Sequence, residues 1–135
     1  MTAPGAPAPP PPVTRTEVFE YALIRVVPRV ERGEAINAGV ILYSQRHRFL
    51  GCQIELNTDR LRVLDPGADV AAVLAALTAV EEGCHAGRPA EEPPGVRFRW
   101  LTAPRSTIVQ PGPVHSGLTT DPAAELTRLF GDLVR

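Results

Sequence analysis

The sequence predicts an α+β fold: a small antiparallel sheet of about four strands with two main helices packed on one face. Apolar residues alternate with period two over 19–27 and again over 36–43, which is typical of strands. Two later segments repeat apolar residues at spacings of three and four, which is typical of amphipathic helices. A chain of 135 residues is long enough for one such domain.

The first two strands should form a hairpin, because the intervening residues 28–34 are charged and contain a glycine. We expect a register that gathers small and aliphatic residues on one buried face beneath the helices, pairing Ala22 with Leu42, Ile24 with Val40 and Val26 with Ala38. This register places Arg25 opposite Gly39 on the second face, with Asn37 close by. A glycine across from an arginine predicts open space there.

The middle of the chain predicts a third strand over 49–56 and a short helical turn over 58–64. A longer helix should begin after Asp69, whose carboxylate can cap it, and end at Gly83 or Gly87. Its apolar stripe consists of Val70, Val73, Leu74, Leu77 and Val80.

The C-terminal part begins with a surface loop over 86–95, rich in Gly, Pro and Glu, and a segment over 96–101 that fits either a strand or a short helix. Residues 106–110 should form an edge strand, since prolines follow directly and cannot donate to a ladder. Asp121 followed by Pro122 is a typical helix start. That helix presents Leu126, Leu129, Phe130 and Leu133 to the core.

Residues 1–14 read as a disordered proline-rich tail, and residues 15–135 as a single α+β domain. The first dozen residues hold six of the 15 prolines and no charge, so they cannot build a core. An alternative use of residues 9–12 is docking as a polyproline segment in an aromatic groove.

Charge and hydropathy narrow the classes of partner. The net charge is −1 and all 14 basic residues are arginines, which disfavours nucleic-acid binding. The sequence shows neither an apolar run long enough to span a membrane nor a secretory signal, so we expect a cytoplasmic protein with reduced thiols at Cys52 and Cys84. A metal site at Cys84-His85 would have to recruit Cys52, His47 or His115 without paired cysteine spacing. We therefore expect neither a metal nor a cofactor.

Two segments, 25–37 and 105–115, carry most of the polar groups that could bind a ligand. If the edge strand joins the hairpin, an anion-binding notch could form from Arg25, Arg29, Asn37, Arg105, Ser106, Gln110 and His115. Arginine forks among hydroxyls and amides suit phosphate or carboxylate oxygens. Alternatively, each arginine pairs with Glu31, Glu34 or Asp121 and fixes a loop, and His115 donates to a backbone carbonyl instead of acting as a general acid or base.

The polar segments also resemble a known family. Tyr21-Ala-Leu-Ile-Arg-Val-Val-Pro-Arg-Val-Glu-Arg-Gly-Glu34 with Asn37-Ala-Gly-Val-Ile-Leu-Tyr43, and Ala103-Pro-Arg-Ser-Thr-Ile-Val-Gln-Pro-Gly-Pro-Val-His-Ser-Gly117, resemble the two hallmarks of the bacterial domain-of-unknown-function family 3037. The resemblance spans roughly residues 19–134. No activity and no catalytic residue are assigned to that family. The resemblance implies that the gene is often encoded beside one for a kinase-like protein of the HipA type. Ala35 and Ala38 are smaller than the family's usual residues.

Two functions from different classes remain open. The first is an accessory or binding module that acts with a larger partner such as the kinase-like protein. The second is an enzyme acting on a phosphorylated or carboxylated small molecule in the arginine- and histidine-lined notch. An exposed apolar patch rimmed by arginine would favour the module, and a closed cavity around a strongly perturbed His115 would favour the enzyme.

Overall fold

The computed structural model describes residues 15–85 and 92–135, so the predicted tail over 1–14 and most of the predicted loop over 86–95 lie outside the described residues. The elements are β1 (Glu17–Val26), β2 (Ile36–Ser44), β3 (Phe49–Ile54), α1 (Thr58–Leu64), α2 (Val70–His85), α3 (Pro94–Leu101), β4 (Val109–Pro111), β5 (His115–Thr119) and α4 (Pro122–Leu133). Across these two ranges, no helix combines the length and apolar character needed to cross a membrane.

The sheet is antiparallel and has five strands, arranged around β1. One edge of β1 pairs with β2, which pairs with β3. The other edge pairs with two short strands placed end to end: β4 along its C-terminal half and β5 along its N-terminal half. The predicted edge strand over 106–110 is present only in part, as the shorter β4, and residues 106–108 precede it as irregular chain. β5 was not predicted, because four of its five residues are not buried and show no apolar alternation.

Helices cover both faces of the sheet. α2 and α3 pack on the face that carries Ala22, Ile24 and Val26, which we call the α2 face. α4 packs on the face that carries Val40 and Leu42, which we call the α4 face. The α+β class is confirmed, but the expectation that both main helices share one face is wrong. The consecutive burial of residues 38–42 in β2 reflects this double cover, because such a strand needs apolar partners on each side.

The predicted register of the first hairpin is also wrong, by one residue up to Ile24 and by two at Arg25 and Val26. The observed partners are Tyr21 with Leu42, Leu23 with Val40, Ile24 with Gly39 and Arg25 with Asn37. Ala38 is the extra residue of a β-bulge, and a bulge re-aims the side chains on either side of it. Alternation alone could not show the bulge, because the residues on both faces of β2 are apolar.

Gly39 is required by close packing. A Cβ at this position would lie 2.8 Å from the Gln53 carbonyl oxygen and 2.9 Å from Ile54 Cγ1, both on β3. The open space predicted beside Gly39 is therefore not there. Arg25, the residue expected to use that space, faces Asn37 instead.

Two helix starts follow the expected capping chemistry. Asp69 accepts a hydrogen bond from the Ala72 backbone N–H at 3.0 Å, and Asp121 accepts one from Ala124 at 3.1 Å. The short helix α1 is capped by Asn57, which precedes the predicted first residue by one. The segment that fitted either a strand or a helix is the helix α3.

We predict that Gly39→Ala lowers the free energy of unfolding by about 2 kcal/mol, because the added methyl overlaps a β3 carbonyl that cannot move freely. Gly131→Ala is the matched control. It lies in α4 with nothing within 4 Å of an added Cβ, so it should be neutral or stabilise by about 0.5–1 kcal/mol. Urea unfolding of both variants measures the difference. Equal effects would contradict the packing account.

Candidate functional site

Three of the predicted ligand-binding residues lie side by side on the α4 face. Arg25 on β1 pairs with Asn37 on β2 and with Gln110 on β4, so the three occupy one row across neighbouring strands. Their neighbours Val26 and Val109 are buried on the α2 face, which places the row on the opposite side. The Asn37 amide donates to the Leu133 carbonyl at 3.0 Å, so the row lies against the end of α4.

We call this row, together with Gly112, the Arg25 notch. In the described chain, Nε of Arg25 is buried and has no hydrogen-bond partner. A Cβ at Gly112 would lie 3.5 Å from that Nε, so the arginine runs closely over the glycine. The Gln110 amide donates to the Thr107 carbonyl at 2.7 Å. The notch therefore presents a guanidinium whose donors are not all used inside the described protein.

His115 lies on the same face but farther along the sheet. It pairs with Tyr21, whose ring centroid is 5.3 Å away, and its side chain is exposed. Tyr21 and Arg25 are four residues apart on β1, which corresponds to about 13 Å along an extended strand. His115 therefore lies on the same face as the notch but outside the row of Arg25, Asn37 and Gln110.

The other predicted site residues are elsewhere, so the expected meeting of Arg105 with His115 and Arg25 does not occur. Arg105 and Ser106 lie in the loop after α3, on the α2 face. The Arg105 guanidinium lies 5.1 Å from the Trp100 ring centroid and donates to the Trp100 carbonyl at 2.7 Å. Arg29 pairs with Glu31 at 2.8 Å in the exposed hairpin loop, as the structural alternative anticipated.

The α2 face holds an open apolar cavity of about 760 Å³, which we call the α2 groove. One wall is α2 and the other is formed by α3 and the loop before β4. Among its described lining residues three are charged, and the apolar ones include Val30, Val73, Ala76, Val80, Trp100, Leu101, Ile108 and Val109.

The solvent side of α2 is also free of charge along the length of the groove. Residues 70–80 contain no charged side chain, although a surface helix normally carries charges on its outer face. Trp100 and Ile108 at the groove are 58% and 46% exposed, and Leu74, on the side of α2 away from the groove, is 48% exposed. Sequence reasoning read the helix for its buried stripe and missed this face. The absence of charge over three turns was the available signal.

A second cluster, which the sequence analysis considered and rejected, joins β3 to the last turn of α2. Cys52, Cys84 and His85 bring their ligand atoms within 4.8 Å of one another, and Cys52 Sγ lies 3.8 Å from His85 Nε2. Both thiols are buried and free of disulfide bonds, and His85 is exposed. The expectation of no metal site rested on the missing paired spacing. Strand-to-helix packing supplies the proximity that spacing did not show.

The two thiols differ in acidity because of their surroundings. Hydrogen bonding from Cys52 lowers the pKa of Cys84, and the positive charge of Arg97 adds to this against the opposing effect of burial. The same hydrogen bond, together with burial, raises the pKa of Cys52. Cys84 is therefore the sulfur that more readily becomes a thiolate.

Fold and surface together define a three-layered α+β domain, with a polar notch on one face of the sheet and an apolar groove on the other. The chain belongs to the family described as protein of unknown function (DUF3037), whose model matches residues 21–134. The resemblance of the two polar segments to that family is thereby confirmed. No curated protein and no solved structure matches the chain.

We predict that Arg105→Ala costs about 1 kcal/mol of unfolding free energy, because the residue stacks on Trp100 and donates to backbone carbonyls. Arg29→Ala, which removes an exposed ion pair, should cost less than about 0.5 kcal/mol. Chemical denaturation of both variants checks these values. A loss of about 3 kcal/mol or more at Arg105 would indicate a buried ion pair instead.

Proposed function

We propose that this domain is a cytoplasmic binding module whose α2 groove takes an amphipathic helix of a larger protein partner. The apolar groove between the uncharged part of α2 and the exposed Trp100 and Ile108 is the observation that carries the proposal. Exposed apolar patches of this kind, with polar residues at the rim, are typical of protein-binding surfaces. The chain's net charge of −1 argues against nucleic acid as the partner.

The dimensions of the groove favour a helix as the occupant. Its α2 wall extends from Ala72 to Val80, about 12 Å at 1.5 Å per residue, which matches about two turns of a bound helix. Strand addition is less suitable, because the neighbouring edge strand β4 has three residues and ends in Pro111. A helix docks through side chains and needs no free strand edge.

The charged lining residues add a preference for the partner's sequence. Arg105 borders the groove on the α3 side, and Asp65 and Asp69 border it near the start of α2. A partner helix with an acidic residue near Arg105 and a basic residue near the two aspartates would be complementary. The kinase-like protein implied by the family resemblance is the partner we propose.

Affinity capture with the full chain in its native cell tests this function. Ala72→Glu places a charge in the groove, and Ala124→Glu places the same charge on the opposite face. Both alanines follow a capping aspartate by three residues and are exposed, so both variants should fold alike. We expect wild type and Ala124→Glu to retain the same stoichiometric partner and Ala72→Glu to lose it.

The purified pair then gives the affinity by calorimetry. We expect Ala72→Glu to weaken binding at least about tenfold, since a desolvated carboxylate costs more than 1.4 kcal/mol. Equal binding by both variants, or the lack of any stoichiometric partner for wild type, would contradict the proposal. A partner without a kinase-like fold would overturn the choice of partner alone.

The Arg25 notch supports a second candidate function, an enzyme acting on a phosphorylated or carboxylated small molecule. Its supporting observation is the buried Arg25 Nε, which has no partner among the described residues. An anion's oxygens could accept from this guanidinium beside the amides of Asn37 and Gln110. His115 is the neighbouring group that could move a proton, although it lies beyond the row.

For this second function, we predict that inorganic phosphate or citrate raises the melting temperature of wild type and of Arg105→Ala, but not of Arg25→Gln. An anion at ten times its Kd adds about 1.4 kcal/mol, which is a shift of a few degrees. Thermal unfolding with a ligand series measures it. Equal shifts in all three proteins, or none in wild type, would exclude an anion site at Arg25.

A further inference from the structure

We propose that Cys52, Cys84 and His85 form a zinc site, with three protein ligands and a fourth position open to solvent. The site is separate from the α2 groove and the Arg25 notch, and it does not depend on either proposed function. It joins β3 to the C-terminal turn of α2.

The spacing of the three ligand atoms is close to what tetrahedral zinc requires. Zn–S bonds of about 2.3 Å and Zn–N bonds of about 2.0 Å place neighbouring ligand atoms about 3.5–3.8 Å apart. Cys52 Sγ and His85 Nε2 are already 3.8 Å apart, and all three atoms lie within 4.8 Å. A side-chain adjustment of about 1 Å would complete the geometry.

Burial and orientation suit a metal held by soft ligands. Cys52 is 8% exposed and Cys84 is 1% exposed, so a sheet and a helix hold both sulfurs in the apolar core. His85 is exposed, which leaves an approach for the ion and room for a water molecule. Structural zinc sites usually close all four positions with protein ligands, whereas catalytic sites keep one open. Three ligands with an open fourth position match the catalytic arrangement.

Two charged side chains of opposite sign, Arg97 and Glu81, lie near the sulfurs. Arg97 carries its positive charge near Cys84, and its buried Nε has no partner among the described residues. Two thiolates neutralise Zn²⁺, so the bound ion would add no net charge to the core.

Zinc titration of the untagged full chain under reducing conditions tests the site. We expect one Zn²⁺ per chain with a sub-micromolar Kd. Cys52→Ser and Cys84→Ser should each weaken binding by about 100-fold or more, and His85→Ala by about tenfold or more. His47→Ala is the control, because His47 hydrogen-bonds the Thr119 carbonyl away from the cluster, and its affinity should not change.

Cobalt substitution provides an independent measurement. Co²⁺ in the wild-type chain should show the intense visible absorption of a tetrahedral, sulfur-ligated ion, and Cys52→Ser should lose it. His85→Ala keeps the proposal testable if a cysteine variant fails to fold, because His85 is exposed.

Three outcomes would overturn the zinc site. One is binding that persists unchanged in His85→Ala and the cysteine variants. Another is binding lost equally in His47→Ala. The third is a reduced chain that binds no zinc. If a disulfide reagent then links Cys52 to Cys84 in that chain, the cluster is a thiol pair alone.

Discussion

The pairing of β1 with β2 is the interaction on which the rest of the structure depends. Both strands carry apolar side chains on each face, so neither face can be left to water. α2 with α3 must cover one side and α4 the other. The two candidate surfaces are where this cover stops: the Arg25 notch lies at the end of α4, and the α2 groove opens between α2 and the loop after α3.

Local features of the sequence were the most predictable part of the fold. Asp69 and Asp121 predict the starts of their helices correctly, because capping involves residues only a few positions apart. The bulge at Ala38 could not be seen, because it is set by how β1 and β3 pack on either side of Gly39. β5 was equally hidden, since its residues rely on backbone pairing with β1 and bury little apolar surface.

The candidate site was predictable in part, and for the same reason. Arg25, Asn37 and Gln110 meet because strand pairing brings them into one row, which the proposed hairpin and edge strand anticipated. Arg105 was assigned to the wrong side of the sheet, because a loop residue has no period that fixes its face. Cys52 approaches Cys84 because helix α2 packs back along strand β3, and the sequence spacing of the two cysteines does not predict this contact.

The divided edge of β1 also has a consequence for the order in which the chain folds. β2 follows β1 directly, but β1's other edge waits for β4 and β5, which pair Val26 with Val109 and Glu17 with Thr119. During synthesis, the N-terminal hairpin can therefore form early while that edge stays unpaired until the last quarter of the chain emerges. An unpaired edge is a template for other strands, so the nascent chain is most exposed to misassembly in this interval.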